Sequence, residues 1–269
     1  MGRPLRSSAV GTWFHVVNRG AARADIFLSD RDRVEFGRLL GVAHDRFEVN
    51  VHAYCLMGNH YHVLVETPAG QLSEAMHHIG GVYARHLNER LGRDGPVFRG
   101  RYFGRPVLSP DYLIRVVRYI HRNPLAFVDT GNLEAYRWSS LRTYLGYRRR
   151  PVWLRTEVVS ELTGGVDGMR ALVGSSARAP VAIGASDLAC AIDVLIDEHL
   201  GDAHPQGVAR TVKTLLLDRL LPSGSGELRA ELRFPSVNAE RSARSRARRR
   251  LREVPALEQI VEGVVDLVA

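Results

Sequence analysis

The chain has 269 residues, enough for one large or two modest domains, and a hydrophobic content of 45% that can supply a buried core. Its formal net charge is +8, and nearly all of its basic residues are arginine. This favours a nucleic-acid partner, because guanidinium groups match phosphates. Cys55 and Cys190 form no metal-binding or disulfide pattern, and there is no long apolar run or signal peptide, so a soluble cytoplasmic protein is predicted.

The first segment, Met1 to Ser8, is short, basic and predicted to be extended. Arg3 and Arg6 could contact a nucleic-acid backbone from it, although a frayed, solvated tail is equally compatible with this composition.

The first regular elements are a strand over residues 11–18 and a helix that Ser29 and Asp30 cap, ending near Arg46. The apolar positions predicted to face inward from this helix are Val34, Leu39, Leu40 and Ala43. A second strand is predicted over residues 47–57, and Gly58-Asn59 then predicts a hairpin turn.

The strand after this turn carries two histidines, His60 and His62, on either side of Tyr61. The β-branched, apolar residues that follow indicate a buried strand. Because side chains alternate along a strand, the two imidazoles share one face about 7 Å apart and could bind one metal ion. Such a pair by itself is more often structural, so a metal site needs a third ligand elsewhere in the chain.

Residues 70–91 predict a helix whose inward residues are Leu72, Met76, Ile79, Tyr83 and Leu87. Its histidines, His77, His78 and His86, are interpreted as surface residues rather than ligands.

The next segment, residues 98–108, places Arg99, Arg101 and Arg105 close together, with Tyr102 and Phe103 between them. Interleaved cations and rings are typical of single-strand binding, whereas the alternative is a solvated edge strand.

A strongly specified helix follows, beginning with Ser109 as N-cap and Pro110 at the first helical position and ending near Pro124. Its core face is apolar. The flank carries Tyr112, Arg115, Tyr119 and Asn123. This flank offers a phenol as nucleophile, an amide as metal ligand and a guanidinium as phosphate contact.

The element order, strand, helix, strand, strand, helix, strand, helix, predicts an α+β, ferredoxin-like antiparallel sheet with helices on one face, over residues 1–150. A linker is predicted over residues 151–185 and an all-α domain over residues 186–269. In this last domain a short helix, a turn and an arginine-dense helix suggest a helix-turn-helix that contacts DNA through Arg246 and Arg249. The alternative is a helical bundle with a solvated arginine face.

Several motifs in this order resemble the HUH single-strand DNA transposases with one catalytic tyrosine, and more closely their REP-associated branch. The motifs are HVVNRG, HAYCLMGNHYHVLVETP, VFRGRYFGRPVLSPDYLIRVVRYIHRNP and YRWSSLRTYLG, within residues 3–150. The resemblance implies the HUH endonuclease fold, a Mg²⁺ or Mn²⁺ ion held by His60, His62 and Asn123, and a nucleophilic Tyr119. It also implies a 5′-phosphotyrosine intermediate and single-stranded DNA hairpins as substrate. A monomer is favoured over a dimer as the oligomeric state.

Three other functions remain open at this point. A catalytically inactive DNA-binding regulator would retain the fold without the chemistry, and a replication-initiator nickase would use the same chemistry on another substrate. An RNA-binding module on a similar sheet is the least favoured, because the chain has no RNP-type aromatic pattern.

Overall fold

The structure is a computed structural model that describes residues 10–126, 132–174, 206–220, 229, 232 and 234–253. Contact clustering divides the chain into two units, residues 1–175 and 176–269. The first unit contains four strands and six α-helices in its described residues. They are β1 (Thr12–Arg19), α1 (Asp30–Phe47), β2 (Asn50–Leu56), β3 (His60–Thr67), α2 (Leu72–Leu91), β4 (Phe103–Val107), α3 (Pro110–Arg122), α4 (Leu141–Tyr144), α5 (Glu157–Thr163) and α6 (Gly165–Gly174).

The four strands form one antiparallel sheet in the order β2-β3-β1-β4. This is the ferredoxin-like arrangement, so the prediction of the fold class is confirmed. In the central pair, Val17 lies opposite His62 and Arg19 lies opposite His60. The register therefore places both histidines near the end of β1, beside the turn that joins β2 to β3.

One face of the sheet is covered by α1 and α2. Phe36, Leu39 and Leu40 of α1 pack with Ile79 and Tyr83 of α2 in the main hydrophobic core. All five α2 residues predicted to face inward are buried.

The prediction for Val34 of α1 is wrong, because its side chain is 62% exposed. The buried stripe of α1 runs through Phe36, Leu40 and Ala43, and Val34 lies about 160° around the helix from Phe36.

The opposite face of the sheet is covered by α3, so the helices occupy both faces rather than one. The Ser109 hydroxyl caps this helix by accepting from the Tyr112 amide, as its sequence predicts. Val116, Val117 and Ile120 are buried under α3 and fix its orientation on the sheet. Because Tyr119 precedes Ile120 along the helix, this packing also sets the position of the tyrosine.

The outer edge of β2 is covered by Trp138, Ser139 and Ser140. The Leu56 amide donates to the Trp138 carbonyl, and Cys55 pairs with Ser139 as an isolated antiparallel bridge. The Ser140 hydroxyl accepts from the Tyr54 amide at 2.9 Å and lies 2.8 Å from His121 Nε2 on α3. These contacts satisfy an edge that would otherwise be open to pairing with another chain, and they connect it to α3.

The linker prediction is wrong for residues 157–174, which form α5 and α6. The glycines that suggested flexibility, Gly164 and Gly165, have φ values of 80° and 75°, a left-handed conformation that ends α5 and begins α6. Val159 and Met169 are fully buried, so this helix pair belongs to the first unit. Residues 175–185 of the predicted linker lie outside the described residues.

The described part of the second unit is helical, with α7 (Gln206–Leu220) and the arginine-dense α8 (Val237–Glu253). The two helices pack on each other around Val212, Leu216 and Ala247. The short helix predicted before the arginine-dense helix, and the rest of the predicted all-α domain, lie almost entirely outside the described residues. Among the helices that are described, none is long and apolar enough to cross a membrane.

Candidate active site

His60 and His62 extend from the face of β3 that α3 covers, and both are buried. Their rings are 5.1 Å apart between centroids and perpendicular to each other. Tyr61 points to the opposite face and is buried in the main core. The alternation predicted from the sequence is therefore present in the structure.

Asn123 follows the last residue of α3 and brings a side-chain amide to the two histidines. Its Oδ1 lies 3.1 Å from His60 Nε2, and its Nδ2 lies 3.1 Å from His62 Nε2. Its backbone N–H donates to the carbonyl of Tyr119, so the helix termination holds it in place. The Nε2 atoms of both histidines thus converge on one side chain.

Tyr119, one turn before Asn123, packs edge-on against the histidines. Its ring is 5.1 Å from the His62 ring at an interplanar angle of 90°, and 5.7 Å from the His15 ring. The side chain is only partly buried, which leaves a route from solvent. The phenol that the sequence suggests as nucleophile and the two histidines are therefore neighbours, although 57 residues separate Tyr119 from His62 in the chain.

Two positions beside the histidines were missed by the sequence reasoning, His15 and Asn59. His15 Nε2 lies 3.0 Å from His62 Nδ1, and Asn59 Oδ1 lies 2.7 Å from His60 Nδ1. His15 belongs to the HVVNRG motif, and Asn59 precedes the histidine pair, so both stand in quoted motifs. Their roles depend on the pairing of β1 with β3 and on the turn geometry, which no local pattern specifies.

These contacts fit the metal set predicted from the sequence. In the tautomer in which each histidine donates from Nδ1, to Asn59 or to His15, both Nε2 atoms are unprotonated and directed toward the Asn123 amide, as metal ligation requires. Two imidazole nitrogens and an amide oxygen suit Mn²⁺ better than Mg²⁺. Within the described residues no group of three or more His, Cys, Asp or Glu side chains could hold a metal ion, so the set requires the amide.

Comparison with known proteins connects this geometry to a family. Residues 8–123, which contain all of these groups, match the family model of IS200-like transposases. Over these residues the chain is similar to the IS200-like transposases. A solved REP-associated tyrosine transposase bound to a REP hairpin is also similar, with 16% identity, a TM-score of 0.45, and coverage of 59% of this chain and 93% of that chain. No curated protein matches the chain.

Burial changes the protonation of the histidines around this candidate site. It lowers the pKa of His15 and of His121 to about 3, and it lowers the pKa of His62 well below its ordinary value, helped by the neighbouring His60 and His15. These imidazoles are therefore neutral at pH 7, the form in which an imidazole can bind a metal.

The same burial predicts that acid destabilises the domain. In the unfolded chain each histidine has its ordinary pKa of about 6.5, so between pH 6.5 and 3 the unfolded chain binds more protons and the free energy of unfolding falls as the pH falls. We expect a loss of about 2 kcal/mol per such histidine between pH 7 and pH 5. Urea unfolding at the two pH values, in EDTA, measures it. His121→Gln keeps a polar group beside Ser140 and should remove the contribution of His121 to the loss of stability between pH 7 and pH 5. An unchanged loss would contradict a lowered pKa at His121.

His121 and Glu66 lie away from the proposed reacting groups. His121 is fully buried against Ser140 and Tyr144 and is structural. Glu66 is at the other end of β3, about 20 Å along the strand from His60, where Asn50 donates to it.

The predicted DNA-contacting arginines of the first unit lie on two sides of the site. Arg105 is directly opposite His15 in the β1–β4 pairing, so it shares the face of the histidines, and its guanidinium lies 4.6 Å from the Phe103 ring. Arg99 and Arg101 are exposed, and the Arg99 amide donates to the Arg19 carbonyl, beside the strand position of His60. Arg115 is on α3, one turn before Tyr119, where burial lowers its pKa.

One aromatic residue of that arginine segment is not available for stacking. Tyr102 is buried in the main core, with its hydroxyl 3.3 Å from Ser73 Oγ, whereas Phe103 remains partly exposed under Arg105. The prediction that both rings stack on DNA is therefore wrong for Tyr102. Its ring lies close to Gly104, where an added Cβ would be 3.0 Å from the ring carbon Cε2.

The helix that carries Tyr119 is also held from the side of α6. Arg118 Nε donates to the Leu172 carbonyl at 3.1 Å, and Arg122 donates to the Val173 carbonyl at 2.6 Å. Both acceptors are at the C-terminal end of α6, where carbonyls lack partners within the helix and the dipole favours a cation. Arg118 and Arg122, on either side of Tyr119, therefore attach α3 to the C-terminal end of α6.

The remaining DNA-contact predictions fall elsewhere in the chain. Arg246 and Arg249 are exposed on α8 of the second unit, whose other arginines include Arg244 and Arg248, both in contact with Asp218 of α7. Their contact with DNA stays a prediction. Arg3 and Arg6 lie outside the described residues.

Proposed function

We propose that this protein is a transposase that cleaves and rejoins single-stranded DNA with Tyr119 as nucleophile and one divalent metal ion as cofactor. The observation that carries the proposal is the convergence of His60, His62 and Asn123 on one point beside the Tyr119 ring. A structural role alone would not require two imidazoles whose Nε2 atoms both face one amide next to a partly exposed phenol.

His60 and His62 would hold the ion through Nε2, and Asn123 through Oδ1. When bound, the ion supplies Lewis acidity at a phosphate oxygen and orients the scissile group. Mn²⁺ or Mg²⁺ suits phosphate oxygens, and the two imidazoles favour Mn²⁺. His15 and Asn59 would act as positioning residues that keep both rings in the binding tautomer.

The reaction would be an exchange of phosphoester bonds. The Tyr119 hydroxyl oxygen attacks the scissile phosphorus and loses its proton to solvent, while the P–O3′ bond breaks and the departing 3′ oxygen takes up a proton. The products are a 5′-phosphotyrosine and a free 3′-hydroxyl. Attack by a second 3′-hydroxyl reverses these steps and rejoins DNA, so the bond energy is conserved in the phosphotyrosine and no ATP is needed.

Arg99, Arg101, Arg105 and Arg115 would neutralise the phosphates around this point, as guanidinium groups suit the backbone. The sequence motifs favour the REP-associated branch, and hence a DNA hairpin with a single-stranded flank as substrate. The resemblance to the REP-associated branch favours a monomer as the acting form.

The test is a covalent adduct assay on the full chain. A labelled single-stranded hairpin oligonucleotide from the genomic neighbourhood of the gene is incubated with the protein in Mn²⁺ or in EDTA and run on a denaturing gel. We expect a protein–DNA adduct in Mn²⁺ that EDTA prevents. The double variant His60→Ala/His62→Ala should form none, whereas His77→Ala/His78→Ala, a matched change on α2, should form as much as wild type.

The alternatives give other results. Binding of the hairpin without an adduct in either metal would replace this proposal with a DNA-binding regulator. Cleavage of an origin-like duplex without rejoining of hairpin ends would favour a replication-initiator nickase.

A further inference from the structure

A groove of about 540 Å³ lies between α1 and the segment that follows α3, outside the proposed active site. Its lining includes Val34 of α1 and the side chains of Arg137, Trp138, Arg142, Tyr147 and Arg148. We call it the arginine groove. Its volume is in the range of roughly 300–1,000 Å³ that is usual for pockets that bind small ligands.

The arginine groove has one exposed ring, Tyr147, and one ring, Trp138, that packs against the main core on one side. Tyr147 is 49% exposed, and the neighbouring Val34 is 62% exposed. Trp138 is partly buried, and the guanidinium of Arg137 lies 5.0 Å from its ring. The guanidinium of Arg142 lies 6.0 Å from the Tyr147 ring. Both rings therefore have a guanidinium within about 6 Å.

The charge of the groove is positive. Three of its lining residues are arginines, and the nearby acids are Asp30 and Glu134. Asp30 contacts Arg137 at 3.0 Å in an exposed pair, and an exposed pair of this kind is weak in water. The Glu134 carboxylate contacts Arg170, while Arg142 donates to the Glu134 backbone carbonyl.

The groove begins at the end of the sheet where the active-site histidines lie. The Trp138 carbonyl accepts from the Leu56 amide, and Leu56 pairs with Tyr61, the neighbour of His60. Because α1 and the histidines lie on opposite faces of the sheet, a polynucleotide whose phosphate lay at His60 would pass round the end of β2 to reach the groove.

We propose that the arginine groove binds the single-stranded DNA adjoining the scissile phosphate, with unpaired bases stacked on Trp138 and Tyr147 and phosphates held by Arg137 and Arg148. Alternating rings and cations are the general solution for single strands, because every unpaired base has a π-face, whereas bases in a duplex are stacked on each other. The inference rests on the proposed function, since it names a second contact surface for the same substrate.

The test measures binding separately from cleavage. The full chain carrying Tyr119→Phe is titrated into fluorescein-labelled deoxythymidine 20-mer, and anisotropy is followed at several NaCl concentrations. Adding Arg137→Gln/Arg148→Gln should weaken binding at least about tenfold and lower the salt slope by about 1.4, because each phosphate contact on a single strand contributes about 0.7. The matched control, Arg46→Gln/Arg85→Gln, removes two exposed arginines of α1 and α2 that do not line the groove and should leave both quantities unchanged.

A second measurement locates the bases. A 20-mer with 5-iododeoxyuridine, irradiated with the same protein, should cross-link to Trp138 or Tyr147, as identified by mass spectrometry. Equal losses in the groove variant and the control, or cross-links confined to other segments, would overturn the inference. Equal or tighter binding of a uridine 20-mer would assign the groove to RNA instead.

These results can be separated from a failure of the proposed function. If the protein with an intact Tyr119 forms the metal-dependent adduct while the groove variant binds the 20-mer normally, only the groove assignment fails. If no adduct forms but the groove variant loses binding, the groove binds single strands in a protein that does not cleave them.

Discussion

Replacing Tyr119 with phenylalanine should lower the yield of covalent protein–DNA adduct by at least about 1,000-fold, because no oxygen remains to attack the phosphorus. The phenyl ring can keep its edge-on packing against His62 and His15, so the fold and the metal set should be unaffected. The measurement is the yield of adduct on a denaturing gel with labelled hairpin DNA in Mn²⁺, compared with hairpin affinity in EDTA, which should stay within about twofold of wild type.

The matched control is Tyr112→Phe, which removes the hydroxyl of the other tyrosine on the same helix. Tyr112 is buried near the start of α3, two turns before Tyr119, and its hydroxyl should not react. Adduct that survives in Tyr119→Phe and disappears in Tyr112→Phe would show that the wrong tyrosine has been assigned.

Replacing Asp32 with alanine should lower the free energy of unfolding by about 3–5 kcal/mol, the usual result of removing one partner of a buried ion pair. Asp32 is fully buried at the start of α1. It accepts from the backbone amides of Leu28 and Ser29, at 3.0 and 2.8 Å, and pairs with Arg90 of α2 at 2.9 Å. The substitution removes the capping box of α1 and the link between the two helices that cover the sheet together. Urea unfolding at pH 7 measures the change.

Asp30→Ala provides the comparison for this stability prediction. Asp30 is two residues away on the same helix, but it is exposed, and its pair with Arg137 is exposed as well. Its removal should cost less than about 1 kcal/mol. Similar costs for the two substitutions would mean that Asp32 contributes as an ordinary first-turn acid and that the burial of its ion pair has no energetic consequence.

The fold could be predicted from local signals because each element carries its own. A run of β-branched, apolar residues marks β3, helical spacing marks α2, and Ser109 with Pro110 marks the start of α3 to the residue. The grouping of His60, His62 and Tyr119 could be predicted because the two histidines share one face of a strand and the tyrosine is on a strongly specified helix.

The remaining parts depended on contacts between distant segments. His15 acquires its place from the register of β1 on β3, which the alternation of either strand leaves open. The sequence around Ser140 indicates only a loop, whereas the structure places its hydroxyl between the Tyr54 amide and the His121 ring. Gly164 and Gly165 resemble a linker in composition, yet their backbone conformation builds a tight junction between two helices. In each case the decisive information is tertiary.

The attachment of α3 to α6 has a consequence for how this protein can diverge. Arg118 and Arg122 bind main-chain oxygens, and every amino acid supplies the same carbonyl. Substitutions at Leu172 that preserve the helix leave this acceptor in place, so one side of the attachment can drift in sequence while the arginines on the other side cannot. In related chains we therefore expect the position at which α6 ends to be kept, while the amino acids that supply these carbonyls vary.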